Sequence, residues 1–387
     1  MRAYRLPGDS EVLKNDGHEY DLMKNLTAYV GTGNRNNLNA LRLVFATLVI
    51  LSHSFQLTSG KQSDPFFALC QHQESCGSLA VDLFFFISGL LITASWLNSK
   101  TMNDYIRRRF LRIVPAFIVA LAFSDLIALA FATRPLFWFH LRFSAFFGDI
   151  LCLGDSSTIG RWVFPNNPFS CYANGSLWTI PREFICYLTI ALIGTFGLFK
   201  HRKIILTGFI LVFYFYSRAA LSGIETLALD RRFFTFFLAG TCAWLWRDKI
   251  PINDTIAVAA VLIAGIATRV PPLFLILSPF TMCYLALWIG YARPLRTTAW
   301  CDHTDLSYGT YLFAFPIQQS LICLTSTRNP WLVFFVTTPI VLGIAFISWH
   351  LVEKRFLRLK SARFSDVDPG LSAPQPFEGP ALSRFSS

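Results

Sequence analysis

Long apolar runs, parted by short polar clusters, make up most of this chain. Each run is close to the ~20 residues that a helix needs to cross the hydrocarbon core of a bilayer. They fall near 38–57, 79–97, 113–133, 176–199, 203–219, 231–246, 255–270, 272–290, 305–325 and 331–352. The pattern predicts an all-α polytopic membrane protein of about ten transmembrane helices. A further apolar piece, 135–153, is interrupted by His140, Arg142 and Asp149 and reads as interfacial or re-entrant. Residues 1–37 form a polar arm with no core of its own, and 361–387, rich in Ser, Pro and Gly, read as a disordered tail. The membrane domain is thereby bounded at 38–360.

Composition supports the pattern. The 387 residues are 53% hydrophobic and 15% charged, where a soluble domain is about a quarter charged. The net charge of +11 could suggest a nucleic-acid partner, but the basic residues sit between the spans, so none is expected. With the N-terminus in the cytoplasm, inside segments carry 23 Lys and Arg against 9 outside, while Arg42 and Arg182 lie within spans. This bias predicts that both termini are cytoplasmic. The first forty residues are polar, so no cleavable signal peptide is expected and the first span serves as its own insertion signal.

Four of the nine cysteines, Cys186, Cys242, Cys283 and Cys323, fall in spans, where a thiol behaves as a small hydrophobe. Cys70 with Cys76, and Cys152 with Cys171, lie in two loops that the charge bias places outside, where disulfides persist. The expectation is a Cys70–Cys76 and a Cys152–Cys171 bridge. Neither a CxxC nor a His-rich spacing is present, so no metal is expected.

Polar residues inside the apolar runs carry the candidate chemistry. The first span, LNALRLVFATLVILSHSFQL, contains Arg42 and His53. A guanidinium in a spanning helix is energetically expensive and tends to face a cavity with a task. Eleven positions are close to three helical turns, so the two residues share one face, about 16 Å apart along the axis. His53, Asp82 of the second span and Glu183 at the start of the fourth are all expected toward the outer face. An imidazole beside a carboxylate suits a general base; the same pair also serves simply to pin two helices. Glu183 reads equally as an ion-pair partner of Arg182 or as a substrate contact. At the opposite, cytoplasmic end, YIRRRFLRIVP supplies Arg107, Arg108, Arg109 and Arg112. With Arg42 they suit phosphate, whose oxygens match guanidinium forks, although ordinary positive-inside anchoring also accounts for the arginine triplet. A donor with a phosphorylated head and a long thin arm, such as acyl-coenzyme A, fits an anion site at one end and a base at the other.

The same segments resemble the acyltransferase-3 family of bacterial integral-membrane acyltransferases. Arg42 and His53 have its R-x10-H spacing. VDLFFFISGLLI (81–92) is similar to its G-x-D-LFF-x-SGFLI motif, RRFLRIVP (108–115) to RR-x-x-RI-x-P, and NGSLWTIPREF (174–184) to SLW-x-x-x-x-E. DLSYGTYLFAFPI (305–317) resembles S-Y-x-x-Y-L-x-H-x-P-I, and VEKRF (352–356) the end of the terminal helix. The likeness runs over residues 35–360, with the motifs in order. It implies ten core helices in the bacterial inner membrane and transfer of an acyl group, usually acetyl, from a cytoplasmic donor to a sugar hydroxyl. Acceptors in the family include lipopolysaccharide, exopolysaccharide, peptidoglycan and Nod-factor sugars. His53 would be the essential histidine, with Asp82 and Glu183 as catalytic partners. Arg42, Arg108, Arg109 and Arg112 would hold the acyl-coenzyme A donor, with no permanently bound cofactor. Asn174, Ser176 and Trp178 would help define the acceptor site, though Trp178 also suits an interfacial aromatic belt. The family's frequent ninth-span His is Ala314 here, so that residue's role does not carry over. No hydrolase-like domain follows the last span, and the expectation is a standalone transferase.

The reading is therefore an O-acyltransferase acting on a surface or lipid-linked glycan. The alternative is a sugar or lipid-linked glycan transporter with Arg42 and His53 lining its route. Transporters often carry inverted repeats, and none is evident here.

Overall fold

The computed structural model describes residues 25–27, 36–135, 146, 149–150, 163–223, 225–291 and 304–359. Within them the chain is a multi-pass helical bundle with no strand, only isolated bridges. We number its ten long helices α1 (Leu38–Ser59), α2 (Cys76–Leu97), α3 (Met102–Phe131), α4 (Ile180–Thr195), α5 (Arg202–Ser222), α6 (Glu225–Leu245), α7 (Asp254–Ala267), α8 (Leu273–Tyr291), α9 (Ser307–Thr325) and α10 (Pro330–Ser348). A π-helical turn, Trp349–Glu353, and a short helix, Lys354–Arg358, follow α10. Each expected span coincides with one of these helices. The piece 135–153 falls largely outside the described residues, as do most of the N-terminal arm and the tail from 360 onward.

Among the described residues, seven helical stretches are long and apolar enough to cross a membrane. The helices that fall short have identifiable reasons. α7 has 14 residues. α6 opens with Glu225, Asp230, Arg231 and Arg232. α9 carries Thr310, Gln318 and Gln319, all fully buried. A helix wrapped by other helices can hold amides at little loss if each amide is satisfied, and here the amide donors are. Gln318 Nε2 donates to the Ile50 carbonyl and to Ser54 Oγ, both at 2.8 Å. Gln319 Nε2 donates to the Phe169 carbonyl at 2.7 Å. α9 is thus a central helix, enclosed by α1, α3, α10 and the loop before α4.

Local sequence sets the helix ends. Ser75, Thr101, Asn253 and Asn329 accept hydrogen bonds from the first-turn amides of α2, α3, α7 and α10. α1 stops at Gly60, whose φ of 77° is the left-handed C-cap that glycine adopts without penalty. α3 begins at Met102, eleven residues before the apolar run does. Its 30 residues span about 45 Å, more than a bilayer core, and this leaves its arginines on the helix's first three turns. α2 and α6 approach most closely. A Cβ on Gly89 would lie 2.0 Å from the Phe237 carbonyl oxygen, and one on Gly240 would lie 2.0 Å from that of Phe86. The two backbones touch there, as small residues permit in membrane bundles.

Candidate functional site

Two cavities open along α1, one at each of its candidate residues. The first, about 110 Å³, is walled by Arg42, Arg109, Arg112, Glu183, Tyr187 and Tyr308 among others. The second, about 310 Å³, lies against His53, Gln56, Gln62, Tyr172, Trp178, Arg232 and Phe315. Val81 of α2 and Tyr311 of α9 belong to both walls. The Tyr311 hydroxyl is 2.9 Å from Thr179 Oγ1, which fixes the ring as a partition between the two spaces.

The first cavity is rich in cations. Arg42 Nη1 donates to Asp305 Oδ2 at 2.6 Å, and Arg112 Nη2 donates to the same oxygen. Ser307 supplies its amide (3.2 Å) and hydroxyl (2.6 Å) to Asp305 Oδ1. Burial opposes ionisation of Asp305, but the two guanidiniums and the Ser307 hydroxyl outweigh it and hold the carboxyl well below the usual carboxylate range. One carboxylate is thus shared by two arginines. A third, Arg109, donates to Ser95 Oγ at 3.1 Å, while its Nε is buried with no hydrogen-bond partner. Three guanidiniums thus gather in one wall that also holds Glu183, and an anion with forked oxygens has all three to meet. Arg108 is not among them. It turns back to Asp104, one helical turn earlier, at 2.7 Å.

Glu183 corrects an expectation of depth. It was expected near His53, yet it lines the arginine cavity and accepts from the Tyr187 hydroxyl. The reason lies in the segment before α4, which dips into the bundle rather than crossing its rim. Val163, Ala173, Asn174, Ser176 and Leu177 are all fully buried. α4 therefore starts deep, and its first turn meets α2 and α3.

The second cavity corrects the expected His53–Asp82 pair. His53 Nδ1 is buried and has no hydrogen-bond partner, and the ring packs edge-on against Phe315 at 5.3 Å. Asp82 is engaged by Arg232 of α6, whose Nε lies 2.8 Å from both carboxylate oxygens and whose Nη2 lies 2.6 Å from Oδ2. The same Nη2 reaches Glu74 Oε2 at 2.6 Å. A guanidinium offers a carboxylate a charge-assisted fork that a neutral imidazole cannot match, so Asp82 pairs with the arginine. Burial raises the Glu74 carboxyl against the pull of Arg232. Trp178 lines this cavity beneath Arg182, whose guanidinium sits 4.8 Å over its ring. Asn174 and Ser176 stand behind the wall, with Gly175 between them facing the space. Asn174 Nδ2 ties the segment to Ser124 and to the Leu312 carbonyl, both at 2.9 Å. Ala314 packs on Ile50 and Val341, away from both cavities.

The first expected disulfide does not form. Cys70 and Cys76 are separate buried thiols, and Cys76 Sγ lies 3.6 Å from the Leu48 carbonyl as its donor. Cys76 opens α2 against α1, whereas Cys70 caps the short helix Pro65–Leu69. Cys171 is also a free thiol, and Cys152 lies outside the described residues.

Sequence reading missed Arg232, Glu74, Asp305, Tyr187 and Tyr311. Arg232 and Asp82 are 150 positions apart, and an Arg-Arg pair at a span edge looks like loop charge. Asp305 carried a usable signal, a carboxylate at the mouth of an apolar run facing a known arginine end.

Residues 35–350 match the family model described as an acyltransferase domain. An O-acetyl transferase of Shigella phage Sf6 is 30% identical over 352 residues, covering 85% of this chain and 98% of that protein. Nodulation protein 10 of Rhizobium leguminosarum bv. viciae is 24% identical over 369 residues, covering 86% and 95%. No solved structure matches.

Proposed function

The chain belongs to this acyltransferase family, and from that premise we propose that it moves an acetyl group from acetyl-coenzyme A to a sugar hydroxyl of an exported glycan. Arg42, Arg109 and Arg112 hold the phosphates of the donor in the first cavity, facing the cytoplasm. The thioester reaches past Val81 and Tyr311 toward His53. The acceptor hydroxyl enters the second cavity and gives its proton to the imidazole as its oxygen attacks the thioester carbonyl. The carbon–sulfur bond then breaks, the coenzyme leaves as thiolate and takes up a proton, and the ester remains on the sugar. The enzyme works in the inner membrane.

The observation that carries this reading is the pair of abutting cavities, one with three guanidiniums and the other with an unpartnered imidazole nitrogen. Their residues stand about 16 Å apart on one helix face, a gap suited to a thin arm. Burial leaves His53 no competing protein partner at Nδ1, so the ring is held by packing alone. The test uses the full chain in nanodiscs with acetyl-labelled coenzyme A and a glycan extract. Labelled glycan and free coenzyme A thiol should appear together. His53→Ala should lower the rate by about 10²–10⁴-fold while coenzyme A binding persists. Label transfer at the wild-type rate by that variant would refute the assignment.

A further inference from the structure

A lone arginine in a ligand cavity ordinarily reads as an anion receptor, and Arg232 is the cation in the wall beside His53. Its surroundings argue otherwise. Nε and Nη2 are taken up by Asp82 and Glu74. Next to them a third carboxylate, Asp64, is fully buried and accepts from Ser52 Oγ at 2.9 Å and from Gln62 Nε2 at 2.5 Å. Ser52 and Gln62 are themselves part of the cavity wall. Three carboxylates thus stand behind a wall with one guanidinium. Arg232 thus meets two carboxylates with its single charge, and Asp64 stands beside them. The first cavity differs in that three guanidiniums, from Arg42, Arg109 and Arg112, line it.

What the clamp leaves over is geometric. Among the described residues, the one guanidinium nitrogen of Arg232 without a carboxylate partner is Nη1. Two carboxylates fix the plane of the group, so Nη1 is a preorganised donor at no further entropic expense. Around it, Gln56, Ser75 and Ser78 offer neutral polar groups, and Tyr172, Trp178 and Phe233 offer ring faces. We infer that this cavity takes the acceptor as an uncharged sugar residue, with Arg232 Nη1 donating to one of its oxygens, and that it rejects acidic sugars. This deepens the acyl-transfer reading and rests on it for the word acceptor.

The test is a binding comparison on the full chain in nanodiscs, using 4-nitrophenyl β-glucoside and 4-nitrophenyl β-glucuronide, followed by saturation-transfer NMR. The two probes differ only in a hydroxymethyl group against a carboxylate. The glucoside should bind at least ~10-fold more tightly, about one unfavourable charged contact. Arg232→Lys keeps the charge but loses the clamped fork, and should weaken the glucoside by about 10-fold with coenzyme A affinity unchanged. Equal or tighter binding of the glucuronide, binding of neither probe, or an Arg232→Lys protein that still binds coenzyme A and holds the glucoside as tightly as before would each overturn the inference. The wild-type comparison stands by itself if the variant does not fold. Selective glucoside binding without any acetyl transfer from acetyl-coenzyme A would leave the cavity assignment upheld and sink the acyl-transfer reading instead.

Discussion

Replacing Asp305 by Ala should destabilise the bundle more than removing either arginine it holds. Among the described residues, Asp305 is the carboxylate that bridges Arg42 and Arg112 directly, and all three side chains are less than one-fifth exposed. At an effective dielectric of about 20, a unit pair 4 Å apart is worth about 4 kcal/mol before desolvation is counted. Deleting the shared anion leaves two mostly buried guanidiniums without their common partner, a change of about 3–5 kcal/mol. Deleting Arg42 leaves Asp305 with Arg112 and both Ser307 donors, so only one charged hydrogen bond is lost, about 1.5–3 kcal/mol. The assay is thermal unfolding of purified protein in one detergent, followed by intrinsic fluorescence. Asp305→Ala should melt several degrees below Arg42→Ala. An Asp305 variant that melts at or above the Arg42 variant would show that the shared carboxylate does not hold this end together. The pH dependence has a definite sign. The folded carboxyl is held below its unfolded value, so its contribution is complete above about pH 4 and is lost only as pH falls further. Between pH 5 and 8 the difference between wild type and Asp305→Ala should therefore stay constant.

Gly240→Val should separate α2 from α6, because its first carbon would lie 2.0 Å from the Phe86 carbonyl oxygen. Overpacking of this kind costs about 1–3 kcal/mol or more, readable as a lower melting temperature, while Gly208→Val, where nothing stands within 4 Å, should be nearly silent. Tyr311→Ala opens the partition between the cavities, and acetyl-coenzyme A hydrolysis without acceptor should rise at least several-fold; an unchanged hydrolysis rate would count against a partition at Tyr311. Burial pushes the Cys70 thiol up to about 12, so at pH 8 it should resist iodoacetamide in the folded protein. Unfolding without reductant should make Cys70 and Cys76 both label, as peptide mass spectrometry would show; a Cys70–Cys76 bridge in that digest would contradict the structure.

The sequence by itself determined the class of protein and most of its elements. Bilayer-length apolar runs admit little besides helices, because backbone groups in hydrocarbon must satisfy one another. The same physics made Arg42 and His53 conspicuous, and helical period alone put them on one face. Arg109 and Arg112 were legible as a cation cluster for the same reason, since charge is rare in such segments. What sequence could not decide was partnership. A carboxylate takes the best donor within reach, and reach is set by helices far apart in the chain. Asp82 went to Arg232 rather than to His53, a buried segment set α4 deep and carried Glu183 to the arginine cavity, and Asp305 gathered both arginines. Periodicity reports which face a residue occupies on its own helix; only the packing of ten helices decides which faces meet.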